Sequence, residues 1–254
     1  MNLFNIKIYY INLAERTNKN KEIIAEINSL GQIDYERFNA IKPSLDDIIR
    51  SKMIKFSKLW NFKSLQDEKD KKYVIGATGC KMSHYNVLKN IVLKNEDYDY
   101  YIILEDDCVF TNNTKDGIYD TLRYIESNNI DFNILYLGCN FYSDNDFEII
   151  NNNLLKCNLS CGLTTHALLF KKNKIEKIIE TIENSDAEID NAYMTLDNRY
   201  VCYPMIANQR LTISDIGIYR CYNLAENTYI SYGDFNKDFI KNKMVQWLKD
   251  HKNN

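Results

Sequence analysis

Tyr100 to Leu104 are aromatic, β-branched or aliphatic without a charge, and Glu105, Asp106 and Asp107 follow directly. Five such residues in a row predict a buried strand. Cys108-Val109-Phe110 then returns the chain to apolar character, which a solvated loop rarely does. In open α/β sheets the carboxyl end of a strand is where ligands bind. Three adjacent acids repel one another there unless a cation or hydrogen-bond donors offset them. Mg2+ and Mn2+ take oxygen ligands, and Mg2+ typically uses one or two carboxylates together with substrate phosphates. A solvated acidic turn is the alternative.

The flanking sequence predicts the sheet that such a strand requires. Ile6 to Leu13 has the apolar density of a buried first strand. Lys21 to Leu30 carries apolar residues at 23, 24, 27 and 30, helical spacing closed by Gly31. Asp34 to Ala40 reads as a second strand, and strand, helix, strand opens a Rossmann-like sheet. Neither GxGxxG nor GxxxxGK[ST] is present, so no dinucleotide fingerprint or P-loop accompanies it.

Pro43 to Lys72 is charged and weakly periodic, a short helix and a surface excursion around Trp60 and Phe62. Gly76 to His84 leads into a helix with Met82, Val87, Leu88, Ile91 and Val92. Small residues at 76, 77 and 79 allow close backbone approach. Helices are expected at Asp116 to Ser127, at Lys172 to Ile182 and from Glu188. Strands are expected at Phe132 to Gly138, Gly162 to Phe170, Tyr200 to Pro204 and Met205 to Ala207. Asn140 to Asn153 is polar, a loop over a site that carries Tyr142 as a sugar-stacking candidate. Asp238 to Lys249 is a terminal helix with Phe239, Val245, Trp247 and Leu248 as packing residues. The expected architecture is a mixed α/β sheet with helices on both faces.

Bulk properties narrow the function classes. A net charge of −3 with interleaved lysines gives no case for nucleic acid as a partner. No apolar run approaches the ~18 residues of a membrane span, and the first residues lack the pattern of a secretory signal. Seven cysteines form no CxxC pair and mostly sit in apolar segments, which suits buried free thiols in a reducing compartment. The expectation is one cytoplasmic domain over residues 1–254, with 43–72 as an excursion and 217–254 as a helical extension.

Four separated motifs resemble glycosyltransferase family 25, which includes lipooligosaccharide galactosyltransferases and procollagen galactosyltransferase domains. They are Tyr10-Ile11-Asn12-Leu13-Ala14-Glu15-Arg16-Thr17, Gly76 to His84, Ile103 to Val109, and Gly162 to Leu169. They are similar to the family's INLDRR, GxIGCxLSH, ILEDDV and GTHAYLI segments. Ile189-Asp190, Pro204 to Gln209 and Ser214-Asp215-Ile216 continue the resemblance, which spans about residues 6 to 216. Ala14, Thr78 and Leu168 depart from the pattern, but no carboxylate or histidine of it is lost. The resemblance implies a GT-A-type fold, a nucleotide-sugar donor, most often a UDP-sugar, divalent-metal dependence and inversion at the anomeric carbon.

On that basis a hexose, galactose or glucose, passes from UDP to a glycan hydroxyl or to hydroxylysine in a collagen-like protein. Mn2+ or Mg2+ would bridge the diphosphate, with Asp107 as a ligand and Glu105 either as a second ligand or, like Asp106, toward ribose or metal-bound water. An inverting reaction needs a general base. Asp190 is the first candidate and Asp215 the second, although Asp190 also suits the cap of a helix beginning near Asn191. Asn12, Arg16, Gly79, Ser83, His84, His166, Gln209 and Ser214 complete the expected donor site. Gly76 and Gly79 serve backbone approach as readily as chemistry, and either histidine suits a polar packing role. A metal-dependent nucleotide or phosphodiester hydrolase, or a non-catalytic sugar-nucleotide-binding relative, are the competing classes.

Overall fold

The computed structural model describes residues 4–50, 68–141, 145–158, 164–210, 222–223, 228–229, 243–247 and 249–250. The chain opens with β1 (Ile6–Asn12), α1 (Thr17–Ser29), β2 (Asp34–Asn39), α2 (Leu45–Arg50) and α3 (Glu68–Lys94). Next come β3 (Tyr100–Glu105), β4 (Cys108–Phe110), α4 (Thr114–Ser127) and β5 (Ile134–Tyr136). Then follow β6 (Phe147–Asn151), β7 (Leu154–Cys157), β8 (Ala167–Lys171), α5 (Ile175–Asn184) and α6 (Ile189–Met194). The last elements are β9 (Arg199–Cys202), β10 (Ala207–Gln209), β11 (Tyr222–Asn223) and β12 (Thr228–Tyr229).

Eight strands form one mixed sheet in the order β2-β1-β3-β8-β5-β9-β7-β6. β1 lies between β2 and β3, parallel to both, while β8 runs antiparallel to β3 and β5. Side chains alternate across a strand, and each face of this sheet is apolar. Ile8, Tyr10, Ile102, Leu104 and Leu169 pack with Ile23 and Ile27 of α1 and with Ile118, Leu122 and Ile125 of α4. Tyr9, Ile11, Tyr101, Ile103 and Leu168 face α3, α5 and α6 instead. In α5, Ile175, Ile178, Ile179 and Ile182 recur at helical spacing and are all buried. Each such side chain contributes about 1.5–3 kcal/mol relative to exposure. The Rossmann-like mixed sheet with helices on both faces is therefore the GT-A-type architecture expected. Among the described residues no helix is long and apolar enough to cross a membrane.

Several local expectations need correction. The motif at 76–84 does not precede a helix but lies inside α3, which already begins at Glu68. A mid-helix glycine costs about 1 kcal/mol relative to alanine, and packing explains why Gly79 is there. A Cβ at Gly79 would stand 2.4 Å from the Ile41 carbonyl oxygen and 3.2 Å from Pro43 Cδ. The same contact is clamped by Ser83, whose hydroxyl donates to the Gly79 carbonyl (2.6 Å) and accepts from the Ile41 amide (2.8 Å). Gly79→Ala is expected to cost about 1–3 kcal/mol through overpacking, read as a lower urea midpoint at unchanged slope. An unchanged midpoint would refute the close approach.

The polar stretch at 140–153 is not simply a loop, because it contains β6, which pairs antiparallel with β7 at the sheet edge. Tyr142, Trp60 and Phe62 lie outside the described residues. Within 217–254, β11 and β12 pair antiparallel and residues 243–247 are helical. There Met244 is buried and Trp247 packs on the core, whereas Val245 is exposed and Phe239 and Leu248 lie outside the described residues. Among the described residues, Cys80, Cys108 and Cys202 are free thiols.

Candidate active site

The carboxyl ends of β1 and β3 meet α3 and the segment after β2 around a cleft of about 930 Å3. That volume lies at the upper end of the ~300–1,000 Å3 usual for small-molecule sites. Glu105 and Asp106 line its wall together with Arg16, Lys42, Lys71 and Lys72. Cys80 and His84 of α3 lie in the same wall. Acids and cations thus share one opening at a strand end, where an anionic ligand with a bound cation is best accommodated.

The three adjacent carboxylates occupy three environments. Glu105 Oε1 accepts from Thr165 Oγ1 (2.5 Å) and pairs with His84 Nε2 (3.1 Å), and the Cys80 thiol stands 3.6 Å away. Burial pushes the Glu105 carboxyl up, but the hydrogen bonds of His84 and Thr165 outweigh it and hold the group well below the usual range. Tyr193 OH lies 3.4 Å from His84 Nδ1, so the histidine ring is held from both sides. Asp106 accepts from Asn12 Nδ2 (2.8 Å) and faces Lys19 Nζ at 3.5 Å.

Asp107 is placed by a long-range pairing. β4 runs antiparallel to β10, with Cys108 opposite Gln209. Gln209 Nε2 donates to Asp107 Oδ2 (3.0 Å), and the Arg210 amide donates to the Asp107 carbonyl. Asp107 Oδ1 is buried without a hydrogen-bond partner. Burial first, then the charge of Glu105, raises the Asp107 carboxyl to about 7 against the pull of Lys19 and Gln209.

Asp190 is the second residue of α6, and the N-cap is Glu188, so Asp190 is not the cap. Its Oδ1 accepts the Asn191 amide at 2.9 Å. Burial raises its carboxyl, opposed by that hydrogen bond and reinforced by the charges of Glu188 and Glu105. Lys81 orients the entry to α6, since its buried ammonium donates to the carbonyls of Ser185 (2.6 Å) and Ala187 (2.8 Å). His166 does not line the cleft. It is buried, with Nδ1 3.1 Å from Thr164 Oγ1 and its ring against Gly138. Its backbone carbonyl accepts the Glu105 amide at 2.9 Å.

The model of glycosyltransferase family 25 (LPS biosynthesis protein) matches residues 5–193. This chain belongs to glycosyltransferase family 25. No curated protein sequence matches it. Among solved structures, A197 from STIV is similar over 83% of this chain and 87% of its own, at 11% identity and TM-score 0.40. A glycosyltransferase involved in glycosylation of the major capsid of PBCV-1 is similar over 71% and 68%, at 10% identity and TM-score 0.38. S. aureus TarS 1–349 is similar over 78% of this chain and 57% of its own, at 13% identity and TM-score 0.36.

Of the residues expected from family 25 motifs, Arg16, Gly79, Ser83, His84, Glu105 and Asp106 line one cleft. The Ser83 hydroxyl is taken up by packing, as above. Asn12 donates to Asp106 and Gln209 to Asp107. Ser214 and Asp215 lie outside the described residues. Among the described residues, the three whose ligand atoms fall within 4.8 Å of one another are Cys80, His84 and Glu105, without Asp107. Thr165, Tyr193, Lys19 and Lys81 are additions from the structure. Of the cleft residues without an expected role, Cys80 had a legible signal in its spacing, four residues before His84 within one motif.

Proposed function

We propose that this family 25 glycosyltransferase moves a hexose, galactose or glucose, from a UDP-sugar to an acceptor hydroxyl with inversion. The observation that supports this most is the single cleft in which carboxylates, cations and three family motifs converge. Arg16, Lys42, Lys71 and Lys72 suit a diphosphate, and Asp106, steadied by Asn12 and Lys19, suits the ribose side. The unpartnered Oδ1 of Asp107 fits a cation ligand, because a buried polar atom without a partner is costly. A divalent cation held at Glu105 and Asp107 would offset charge developing on departing UDP. Asp190 takes the acceptor proton as the hydroxyl oxygen attacks the anomeric carbon.

The acceptor is a glycan of the lipooligosaccharide type, in keeping with the family's description, or a hydroxylysine of a collagen-like protein. A cytoplasmic location suits the free thiols of Cys80, Cys108 and Cys202. A panel of UDP-sugars tested with Mn2+ and with EDTA is expected to yield one hexose donor that is bound or slowly hydrolysed only with metal. Failure of every donor to bind or hydrolyse would overturn the proposal.

A further inference from the structure

We propose that Cys80, His84 and Glu105 form a zinc site with three protein ligands and a fourth position open to the cleft. Cys80 and His84 stand four residues apart on α3, which puts them on one helix face. The end of β3 brings Glu105 against that face. The Cys80 thiol and His84 Nε2 lie 3.6 and 3.1 Å from the same Glu105 oxygen, and all three ligand atoms fall within 4.8 Å of one another. Tetrahedral zinc with ordinary bond lengths holds its ligand atoms roughly 3.3–3.6 Å apart. Closing the widest pair, up to 4.8 Å, takes side-chain shifts of about 1 Å.

The donor set selects the metal. Sulfur, imidazole nitrogen and carboxylate oxygen suit borderline-soft Zn2+, whereas Mg2+ and Mn2+ prefer oxygen alone. This site is thus chemically separate from the cation proposed at the diphosphate, although both use Glu105. Its outer partners are in place, with the Tyr193 hydroxyl at His84 Nδ1 and the Thr165 hydroxyl on Glu105. Such partners orient metal ligands and typically change affinity 10–100-fold. On binding, the thiol releases its proton to solvent and its sulfur takes the metal. His84 binds through Nε2 with its proton on Nδ1, facing the Tyr193 oxygen. Without metal, hydrogen bonds among the same groups satisfy them, so the cluster has two self-consistent states.

All three ligands line the cleft, so bound zinc withdraws Glu105 and inhibits the transferase. That consequence rests on the proposed donor site, whereas the binding itself does not. The test titrates the full chain, without sugar nucleotide, with Co2+ and then Zn2+. One equivalent of Co2+ is expected to produce a thiolate-to-cobalt charge-transfer band that Zn2+ displaces. Cys80→Ser is expected to abolish the band, and His84→Gln to weaken Co2+ binding at least ~10-fold. Absence of the band in the wild-type chain, or its survival in both variants, overturns the site. Alkylation of wild-type Cys80, followed by mass spectrometry, needs no variant to fold. Zn2+ is expected to slow it, and an unchanged rate overturns the proposal equally.

Discussion

Asp190→Asn is expected to lower sugar transfer by a factor of about 10²–10⁴ while UDP-sugar binding is retained. The substitution keeps the shape of the side chain and an oxygen for the Asn191 amide, which Asp190 Oδ1 accepts at 2.9 Å. What it removes is the capacity to take a proton. Burial raises the Asp190 carboxyl above the usual range, which makes it a stronger base than a surface aspartate. The base works only when ionised, so wild-type transfer falls as pH drops through that raised pKa. The residual activity of the variant lacks this limb. Donor titration and single-turnover transfer across pH separate the outcomes. Loss of donor binding along with transfer would assign Asp190 to the donor side and remove it as the base.

Asp107→Asn is expected to lower metal-dependent donor turnover by about 10²–10³, yet to stabilise the fold. The activity effect follows if Asp107 holds the cation that offsets charge on departing UDP. The stability effect follows from burial. In the unfolded chain this carboxyl ionises near the ordinary ~3.9, whereas in the fold it is raised to about 7. The native state therefore binds the extra proton between those values. Its stability falls as pH rises across that window and levels off above it. Removing the charge stops the loss. In EDTA at pH 8 the variant is expected to melt higher, on the order of 2–4 °C, with the difference shrinking below pH 7 and lost near pH 4. A variant that melts lower at pH 8, or a difference independent of pH, would show that Asp107 is not a strained buried acid. The wild-type slope also contains Glu105, whose lowered pKa acts oppositely at more acid pH. The difference between the two proteins, followed across pH, is the reliable reading.

Local pattern carried much of this protein. The uncharged run of β3, the isoleucine spacing of α5 and the opening strand, helix and strand all follow from period and burial. The start of α3 was hidden by the charged, weakly periodic segment before it. β6 was hidden by a composition rich in asparagine and aspartate, and it is a strand because β7 offers it a partner. The fourth motif directed attention to His166. The irregular segment just before β8 puts the Thr165 hydroxyl there instead, 60 residues from its partner in sequence.

The sequence by itself determined the mixed sheet, the family and the acidic end of β3, because each is written in adjacent or periodically spaced residues. Only the tertiary structure decided how Glu105, Asp106 and Asp107 divide. Glu105 goes to His84 of α3 and to Thr165 just before β8, Asp106 to Asn12 and Lys19, and Asp107 to Gln209, 102 residues away. Spacing along a chain reports which residues are buried together on one element. Which distant groups then meet a charge is set by strand pairing and close packing, and those partners decide its protonation and its chemistry.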